Sequence, residues 1–474
     1  MHHDIKIKTD TREKRCAVAS SVNGNDISFW IDFSLQDIEE EKINFYTTEI
    51  ALGWLIAISK RDGATSVSIS CSHAPRTKVV ESWCLLSQIS LKNLTAENST
   101  IIKNNRKQRP GVCVSWGGGK DSYAALDIIS KIVKDKKRFI FDFTSHSHSG
   151  KVSKKITRRN ALTTKPTKEK FDAESIAVTS NAPSQMQMPN SANYFSFLPF
   201  LSAEYGIDMF CYSFESMFFY DGTSSFQFPV SRSQHYDMSR TLSAKILSLL
   251  MSRVTGQEFN IFNANYQFTE YSAFIYVAKH CEDGLSNIMM CEIGGDEKWC
   301  GACTKCAQMV LYSLSLDVKQ NEIDTNHFLS NSPWVKKVLA SDETWYKGLT
   351  YPGHIDSFRF VLSKISDESI SELSDTAQKN LREIISKHAD SDTREEDGIF
   401  AKNLFASWPQ KYSPEVYRYL SELLPVYEAP KFEKHWGRST VLRNEELQAT
   451  TRATQFISFL LEQNDILRTE DSAI

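Results

Sequence analysis

A six-residue segment, Gly117 to Ser122, combines residue types that bind phosphate and metal ions. The apolar run Val112 to Ser115 precedes it and an apolar periodic segment follows, so the pattern predicts a buried strand, a tight turn and a helix. Free N–H groups and the helix dipole make such a helix N-terminus an anion site. The backbone can approach a phosphate closely because three residues carry no Cβ: Gly117, Gly118 and Gly119.

Three polar side chains complete this glycine loop. Lys120 adds a mobile cation for phosphate, and Ser122 adds a hydroxyl donor. Asp121 is unusual at a simple anion site, and a carboxylate beside phosphates indicates Mg²⁺, which bridges the two. We therefore predict a phosphate site with Mg²⁺, in which Lys120 and Asp121 take part in the chemistry.

Four of the ten cysteines lie close together in the sequence with the spacing C-x8-C-x2-C-x2-C: Cys291, Cys300, Cys303 and Cys306. Four thiolates with C-x2-C turns are typical of a tetrahedral, closed zinc site, which is structural rather than catalytic. Nearby glycines supply the turns that fold the ligands round the ion. An iron–sulfur cluster has compatible spacing, and four unrelated buried cysteines are the remaining alternative.

The bulk composition is that of an ordinary globular protein, with 41% hydrophobic and 24% charged residues. A net charge of −3 gives no general reason to expect nucleic acid or a membrane surface as a partner. No run of eighteen apolar residues predicts a membrane span, and Met1 to Lys6 lacks a signal-peptide core. One cysteine cluster among scattered cysteines favours the cytoplasm. The oligomeric state cannot be predicted.

We predict three regions along the chain. Residues 1–105 alternate short strand-like runs with one helical segment, Phe45 to Ser59, and form an α+β accessory domain. Residues 106–330 alternate strands and helices, which predicts an α/β fold with a parallel sheet. Residues 331–474 are mostly helical and end in a polar tail after Pro430.

A basic segment, residues 144–192, interrupts the second region. It is rich in Ser, Thr, Lys and Asn, and eight Lys and Arg residues lie between 151 and 170: Lys151, Lys154, Lys155, Arg158, Arg159, Lys165, Lys168 and Lys170. We interpret it as a solvated surface insertion. The alternative is an electrostatic clamp for a polyanionic substrate or RNA, although no aromatic residue interleaves the run before Phe171.

Further candidates follow the predicted strand Gly206 to Ser213. In open α/β sheets ligands bind at the carboxyl ends of the strands, so Glu215 is a site candidate; an exposed loop acid is the alternative. A helix is also predicted from Thr269 to His280, with Thr269 as its N-cap and Glu270 in its first turn.

The glycine loop resembles the SGGxDS loop of the ATP pyrophosphatases, with Gly117 in place of the first serine. Together with the cysteine cluster, it is similar to two families: the 7-cyano-7-deazaguanine synthases and the MurL-type epimerases of UDP-MurNAc-L-Ala-L-Glu. The second resembles this chain better in length and layout. Smaller similarities are Ser213 to Ser216 with SNERS, His235 to Arg240 with NHQWSK, and Trp299 to Cys306 with RWCGxCPKC.

The resemblance implies an adenine-nucleotide α-hydrolase core, ATP and Mg²⁺ as ligands, and adenylation of a carboxylate with loss of pyrophosphate. The implied substrate is a UDP-linked peptide whose terminal glutamate is inverted. Acylation of AMP removes the carboxylate charge, so that a base can take the α-proton. Glu215 and His235 are then the candidates for proton transfer, with structural roles as the alternative for each.

Some positions depart from the epimerase pattern. His235 and Tyr236 replace an asparagine–histidine pair, Gln267 replaces a proline, and the basic segment is additional. These departures leave two other functions open. One is a synthase-like or RNA-modifying enzyme that adenylates its substrate to form an amide or nitrile, and the other is a non-catalytic nucleotide sensor.

Overall fold

The structure is a computed structural model, and it describes residues 1–33, 36–98, 110–145, 154–182, 195–213, 241–291, 297–340, 352–389, 397–401 and 408–427. The strands in these ranges are β1 His2–Arg12, β2 Arg15–Val22, β3 Asn25–Asp32, β4 Ser66–His73, β5 Ser90–Asn98, β6 Gly111–Ser115, β7 Lys137–Ser145, β8 Ala173–Ser180, β9 Ile207–Tyr212, β10 Asn260–Asn263, β11 Ile399–Phe400 and β12 Val426–Tyr427.

The α-helices in the same ranges are α1 Glu40–Arg61, α2 Thr77–Leu86, α3 Lys120–Ile132, α4 Lys154–Arg159, α5 Lys165–Phe171, α6 Leu198–Tyr205, α7 Thr241–Thr255, α8 Glu270–His280, α9 Gly284–Asn287, α10 Thr304–Ser315, α11 Thr325–Asn331, α12 Pro333–Ala340, α13 Pro352–Lys364, α14 Asp367–Ser371, α15 Asp375–His388 and α16 Ser413–Ser421. A π-helical turn, Asn160–Thr164, joins α4 to α5.

Ten strands form one sheet in the order β10-β9-β6-β7-β8-β3-β2-β1-β4-β5. Six of its nine neighbouring pairs are parallel. The predicted α/β class with a parallel sheet is therefore confirmed at this level. Strand β6 is buried on both faces, because Cys113 packs into one core and Val112 and Val114 into the other, as expected for a central parallel strand.

The sheet continues from the N-terminal region into the second region through an antiparallel pair, β3 with β8. Ile31 pairs with Ser180 and Asp32 pairs with Thr179. The side chain of Asn181 also accepts a hydrogen bond of 2.8 Å from the Trp30 N–H. The sheet and one hydrophobic core thus include strands on both sides of the predicted boundary near residue 105, which itself lies outside the described residues. The division into domains stays a prediction.

The described part of the basic segment corrects our interpretation of it as a solvated insertion. Residues 173–180 form β8 in the middle of the sheet, between β7 and β3. Arg158 and Arg159 are buried, and so are three threonines that follow them: Thr163, Thr164 and Thr167. The interpretation was wrong here because the high lysine content concealed a helix with one buried face and an apolar strand.

Helix α3, which follows the glycine loop, is held by the C-terminal region. The Tyr276 hydroxyl on α8 donates to Asp127 of α3 over 2.5 Å and lies 3.0 Å from the hydroxyl of Tyr419 on α16. Lys131 of α3 donates to the same Asp127 carboxylate over 2.7 Å. This partly buried polar cluster links α3 to two helices, α8 and α16.

Several predicted helices are confirmed, with shifted ends. Helix α7 covers most of the predicted segment from residue 239, and α14 and α15 divide the single segment predicted for 366–388. Thr269 caps α8, since its hydroxyl accepts from the Ser272 N–H over 3.0 Å. Among the described helices, none is both long enough and apolar enough to cross a bilayer.

Candidate functional site

The glycine loop lies between β6 and α3, at a point where the sheet reverses its strand order. From β6 the chain goes to β7 and β8 on one side, and β9 then returns to the other side of β6. In doubly wound sheets, ligands bind at the carboxyl edge of the sheet at such a switch point. Ser213, directly after β9, donates to the Ser115 carbonyl over 3.4 Å, so the two strand ends meet.

Gly118 is the residue of the loop that requires glycine. Its φ is +72°, and a Cβ there would meet the Thr163 hydroxyl at 2.8 Å and the Arg159 side chain at 3.1 Å. By contrast, a Cβ on Gly117 would have no atom within 4 Å. The carbonyl of Gly118 accepts from the Met289 N–H over 2.7 Å. The loop is thus fixed from both sides in a conformation that only glycine adopts without strain.

Gly119 is the N-cap of α3 and supplies no side-chain acceptor for the helix. The first N–H groups of an α-helix have no intrahelical acceptor, and the dipole adds partial positive charge there. Ser122 lies in this first turn, and its hydroxyl donates to the Gly119 carbonyl over 3.2 Å. The glycine turn and the helix N-terminus that the sequence predicts are therefore present, and the binding of an anion at this turn stays a prediction.

Lys120 differs from its predicted role as a mobile cation. Its side chain is only 2% exposed, and the ammonium lies 2.6 Å from Asp121 Oδ1 and 3.1 Å from Glu270 Oε2. Glu270, 1% exposed, belongs to the first turn of α8. Lys120 is therefore a buried ammonium bound between two carboxylates.

Asp121 is the accessible acid of the loop, with 30% of its side chain exposed. Its backbone carbonyl accepts from Asn265 Nδ2 over 2.7 Å, which ties the helix N-terminus to the segment after β10. Asn265 is buried, and its carboxamide oxygen has no hydrogen-bond partner in the described part of the chain. The carboxylate of Asp121 and the Asn265 Oδ1 acceptor thus lie at the same turn.

An ion pair borders the loop on the side of β7. Arg159 donates from Nε to Asp142 Oδ2 over 2.9 Å, and its Nη2 contacts Oδ1 of the same carboxylate. Both residues are buried, and the aliphatic part of Arg159 packs against Gly118. Beside it, Trp116 Nε1 donates to the Thr164 hydroxyl over 3.0 Å. The segment 158–164 therefore shapes the loop from outside.

The four cysteines of the predicted metal site come together. All four Sγ atoms lie within 4.8 Å of one another, and three pairs are separated by 3.6, 3.7 and 3.8 Å. A zinc ion with Zn–S bonds of about 2.3 Å requires tetrahedral S···S distances of about 3.8 Å. All four are free thiols rather than disulfides. The cluster has the geometry to hold a metal ion such as zinc.

Local structure brings these ligands together. Gly301 has a φ of +64°, which allows the turn between Cys300 and Cys303. Cys303 is the N-cap of α10, so Cys303 and Cys306 lie at a positive helix end, which favours thiolate. A hydrogen bond with Cys291 raises the pKa of the Cys303 thiol to about 11. A bound cation reverses this effect, because it binds the thiolate form.

Two predicted residues, Glu215 and His235, lie outside the described residues, and their proximity to the loop stays a prediction. The structure instead adds residues that sequence reasoning missed: Arg159, Asp142, Asn265 and Gln308, whose Nε2 donates to Glu270 Oε1 over 2.8 Å. Glu270 was noted only as a favourable charge in a helix turn. For Asp142 and Gln308, a polar residue in an otherwise apolar segment was the available signal, but the sequence did not indicate which residues meet.

No family model matches the chain, and neither a curated protein nor a solved structure shows significant similarity to it.

Proposed function

We propose that this chain is an ATP pyrophosphatase that adenylates a carboxylate. The observation that carries the proposal is the position of the glycine loop. It joins a central parallel strand to the N-terminus of α3, at the switch point of the sheet, and it bears an accessible acid, Asp121. Free N–H groups favour phosphate there, whereas the carboxylate favours a divalent cation. The proposed core is of the adenine-nucleotide α-hydrolase type.

In this reaction an oxygen of the substrate carboxylate attacks the α-phosphorus of ATP, and the bond to the bridging oxygen of pyrophosphate breaks. The N–H groups from Gly118 to Ser122 stabilise the negative charge on the departing pyrophosphate. Asp121 is the proposed ligand of Mg²⁺, which supplies charge neutralisation on the phosphates when it is bound. In this proposal Lys120 forms an ion pair with Asp121 and does not contact phosphate.

The proposed outcome for the acyl group is epimerisation. Once the carboxylate charge has been removed, Glu215 or His235 takes the α-proton and a proton returns to the opposite face. Water then releases AMP and the inverted amino acid. The proposed substrate is the terminal amino acid of a UDP-linked peptide, as in the MurL-type epimerases. Amide or nitrile formation is the competing outcome for the same adenylate.

For the four-cysteine site we propose one structural Zn²⁺. The cluster supplies four sulfur ligands, which leaves no open position for a substrate or water. Its role is to hold together the segment before Cys291 and the start of α10.

Product analysis tests the proposal. The protein is incubated with ATP, Mg²⁺ and candidate carboxylates in deuterium oxide, and the products are separated by chromatography and mass spectrometry. We expect AMP and pyrophosphate, with deuterium at the α-carbon of the substrate. Release of ADP would contradict pyrophosphatase chemistry, and turnover without α-exchange would replace the epimerase by an amide- or nitrile-forming enzyme.

Asp121→Asn is the variant to compare, because it removes the charge and preserves the shape of the side chain. We expect it to abolish pyrophosphate release. Asp62→Asn is the matched control, since Asp62 is an exposed residue at the end of α1 in the N-terminal region. Equal activity of the two variants would remove Asp121 from the mechanism.

A further inference from the structure

A buried chain of polar side chains leads from Asp121 into the protein. Lys120 connects Asp121 to Glu270, and Glu270 Oε1 accepts a hydrogen bond of 2.8 Å from Gln308 Nε2. Gln308 is 1% exposed, and Lys305 Nζ lies 4.0 Å from the same oxygen of Glu270. Both carboxylate oxygens of Glu270 are therefore held, so its orientation is fixed before any ligand binds.

The charges in this chain of side chains differ in exposure and in distance. Among the described residues, Lys120 contacts two carboxylates, buried Glu270 and partly exposed Asp121, whereas Lys305 lies 4.0 Å from Glu270. Because Glu270 takes a share of the ammonium, Asp121 keeps part of its negative charge for another cation. Without the charge of Glu270, Lys120 would pair more strongly with Asp121 and would compete with a metal ion for the Asp121 carboxylate.

We propose that Glu270 is a positioning residue that, through Lys120, sets the charge and the direction of the Asp121 carboxylate. This inference rests on the proposed nucleotide site. Glu270 contacts neither the nucleotide nor the metal ion in this scheme. It acts on the metal ion through Lys120, and Gln308 links it to α10, the helix that carries Cys306.

The test uses Mn²⁺ as the probe, bound with α,β-methylene-ATP, which resists cleavage at the reacting bond. Mn²⁺ affinity is measured by electron paramagnetic resonance on the full chain. We expect Glu270→Gln to weaken Mn²⁺ binding about tenfold, in the range of coupling between residues of one network. Glu174→Gln is the matched control, because Glu174 forms an exposed ion pair with Lys137 on the opposite edge of the sheet.

The double variant Lys120→Met with Glu270→Gln separates positioning from stability. It removes the competing ammonium and leaves no unpaired buried charge, so we expect Mn²⁺ affinity to return to within about threefold of the unmodified protein. A merely structural role of Glu270 would give no such recovery.

Three outcomes overturn the proposal. Unchanged Mn²⁺ affinity in Glu270→Gln, or no recovery in the double variant, contradicts the positioning role alone. Failure of the unmodified protein to bind Mn²⁺ with the nucleotide analogue contradicts the proposed function as well. A thermal melt of each variant shows that the comparison is made between folded proteins.

Discussion

Arg158 donates a hydrogen bond of 2.9 Å from Nη2 to the carbonyl oxygen of Cys291, the first residue of the four-cysteine cluster. The next residue, Arg159, packs against Gly118. Two residues before Cys291, the Met289 N–H donates to the Gly118 carbonyl. The four-cysteine cluster and the glycine loop are therefore both held by residues 158–159 and 289–291, although they are separated by about 170 residues in the sequence.

We expect one zinc per chain, and we expect Cys303→Ser to lose it. Because structural zinc contributes directly to folding free energy, the variant should unfold at a lower temperature. Because the same residues contact the cluster and the loop, we also expect faster amide hydrogen exchange at Gly118 to Asp121 in the variant. Elemental analysis and exchange mass spectrometry measure these effects.

The control for this zinc experiment is Cys71→Ser, a buried cysteine on β4 outside the cluster. It should retain zinc, and amide hydrogen exchange at Gly118 to Asp121 should stay as slow as in the unmodified protein. Absence of zinc in the unmodified protein, or an iron–sulfur absorption spectrum, would contradict the assignment of the metal.

Gly118→Ala should destabilise the folded protein by at least about 1 kcal/mol, the order of cost of a left-handed conformation for an L-residue. The added methyl would also push against Thr163 and Arg159. Gly117→Ala is the paired comparison, because its methyl group enters open space, and it should leave the free energy of unfolding nearly unchanged. Urea unfolding measures both values, and equal losses would contradict the assigned strain.

Asp142→Asn should cost about 3–5 kcal/mol of stability, because it leaves the guanidinium of Arg159 buried without its counter-charge. Asp367→Asn breaks an exposed ion pair with Arg382 and should cost less than about 1 kcal/mol. Calorimetry measures the loss of stability in each of the two variants. A small effect at Asp142 would mean that another group neutralises Arg159.

Stability should decrease as the pH falls below about 6.5. Burial, with Lys131 and Lys279 nearby, lowers the pKa of His280 below its ordinary value of about 6.5. The folded state thus favours the neutral ring, whereas the unfolded chain takes up a proton. The contribution is present above pH 6.5 and is lost as the pH falls through the lowered pKa.

His280→Gln should reduce this dependence of the free energy of unfolding on pH, measured by urea titrations between pH 5 and 8. His327→Gln alters an exposed histidine on α11 and is the comparison variant. If the two variants change the slope equally, the effect does not originate at His280.

The local parts of this fold were predictable from the sequence, since they depend on short-range patterns. The strand, glycine turn and helix around Gly118 and the convergence of four cysteines follow from residue spacing. Thr269 was recognisable as a cap because capping depends on residues within one helical turn. These features need no knowledge of distant contacts.

The predictions that were wrong concern residues whose surroundings depend on contacts between distant segments. Lys120 looked like a free cation because Glu270, which binds it, lies 150 positions further along the chain. Likewise, Arg159 looked exposed because Asp142 and Gly118 are its partners only in the folded chain. The direction of a buried charge depends on its partner, and no periodic pattern specifies that partner.

The pairing of β3 with β8 bears on how the protein is made. β8 follows β3 after about 140 residues of chain, and ribosomes add about 5–20 residues per second. For about 7–28 seconds the newly made β3 therefore presents an unsatisfied edge, of the kind that promotes aggregation. The sheet of the N-terminal strands is incomplete until β8 has been synthesised, so the time just after the synthesis of β3 is the stage at which this chain is most exposed to aggregation.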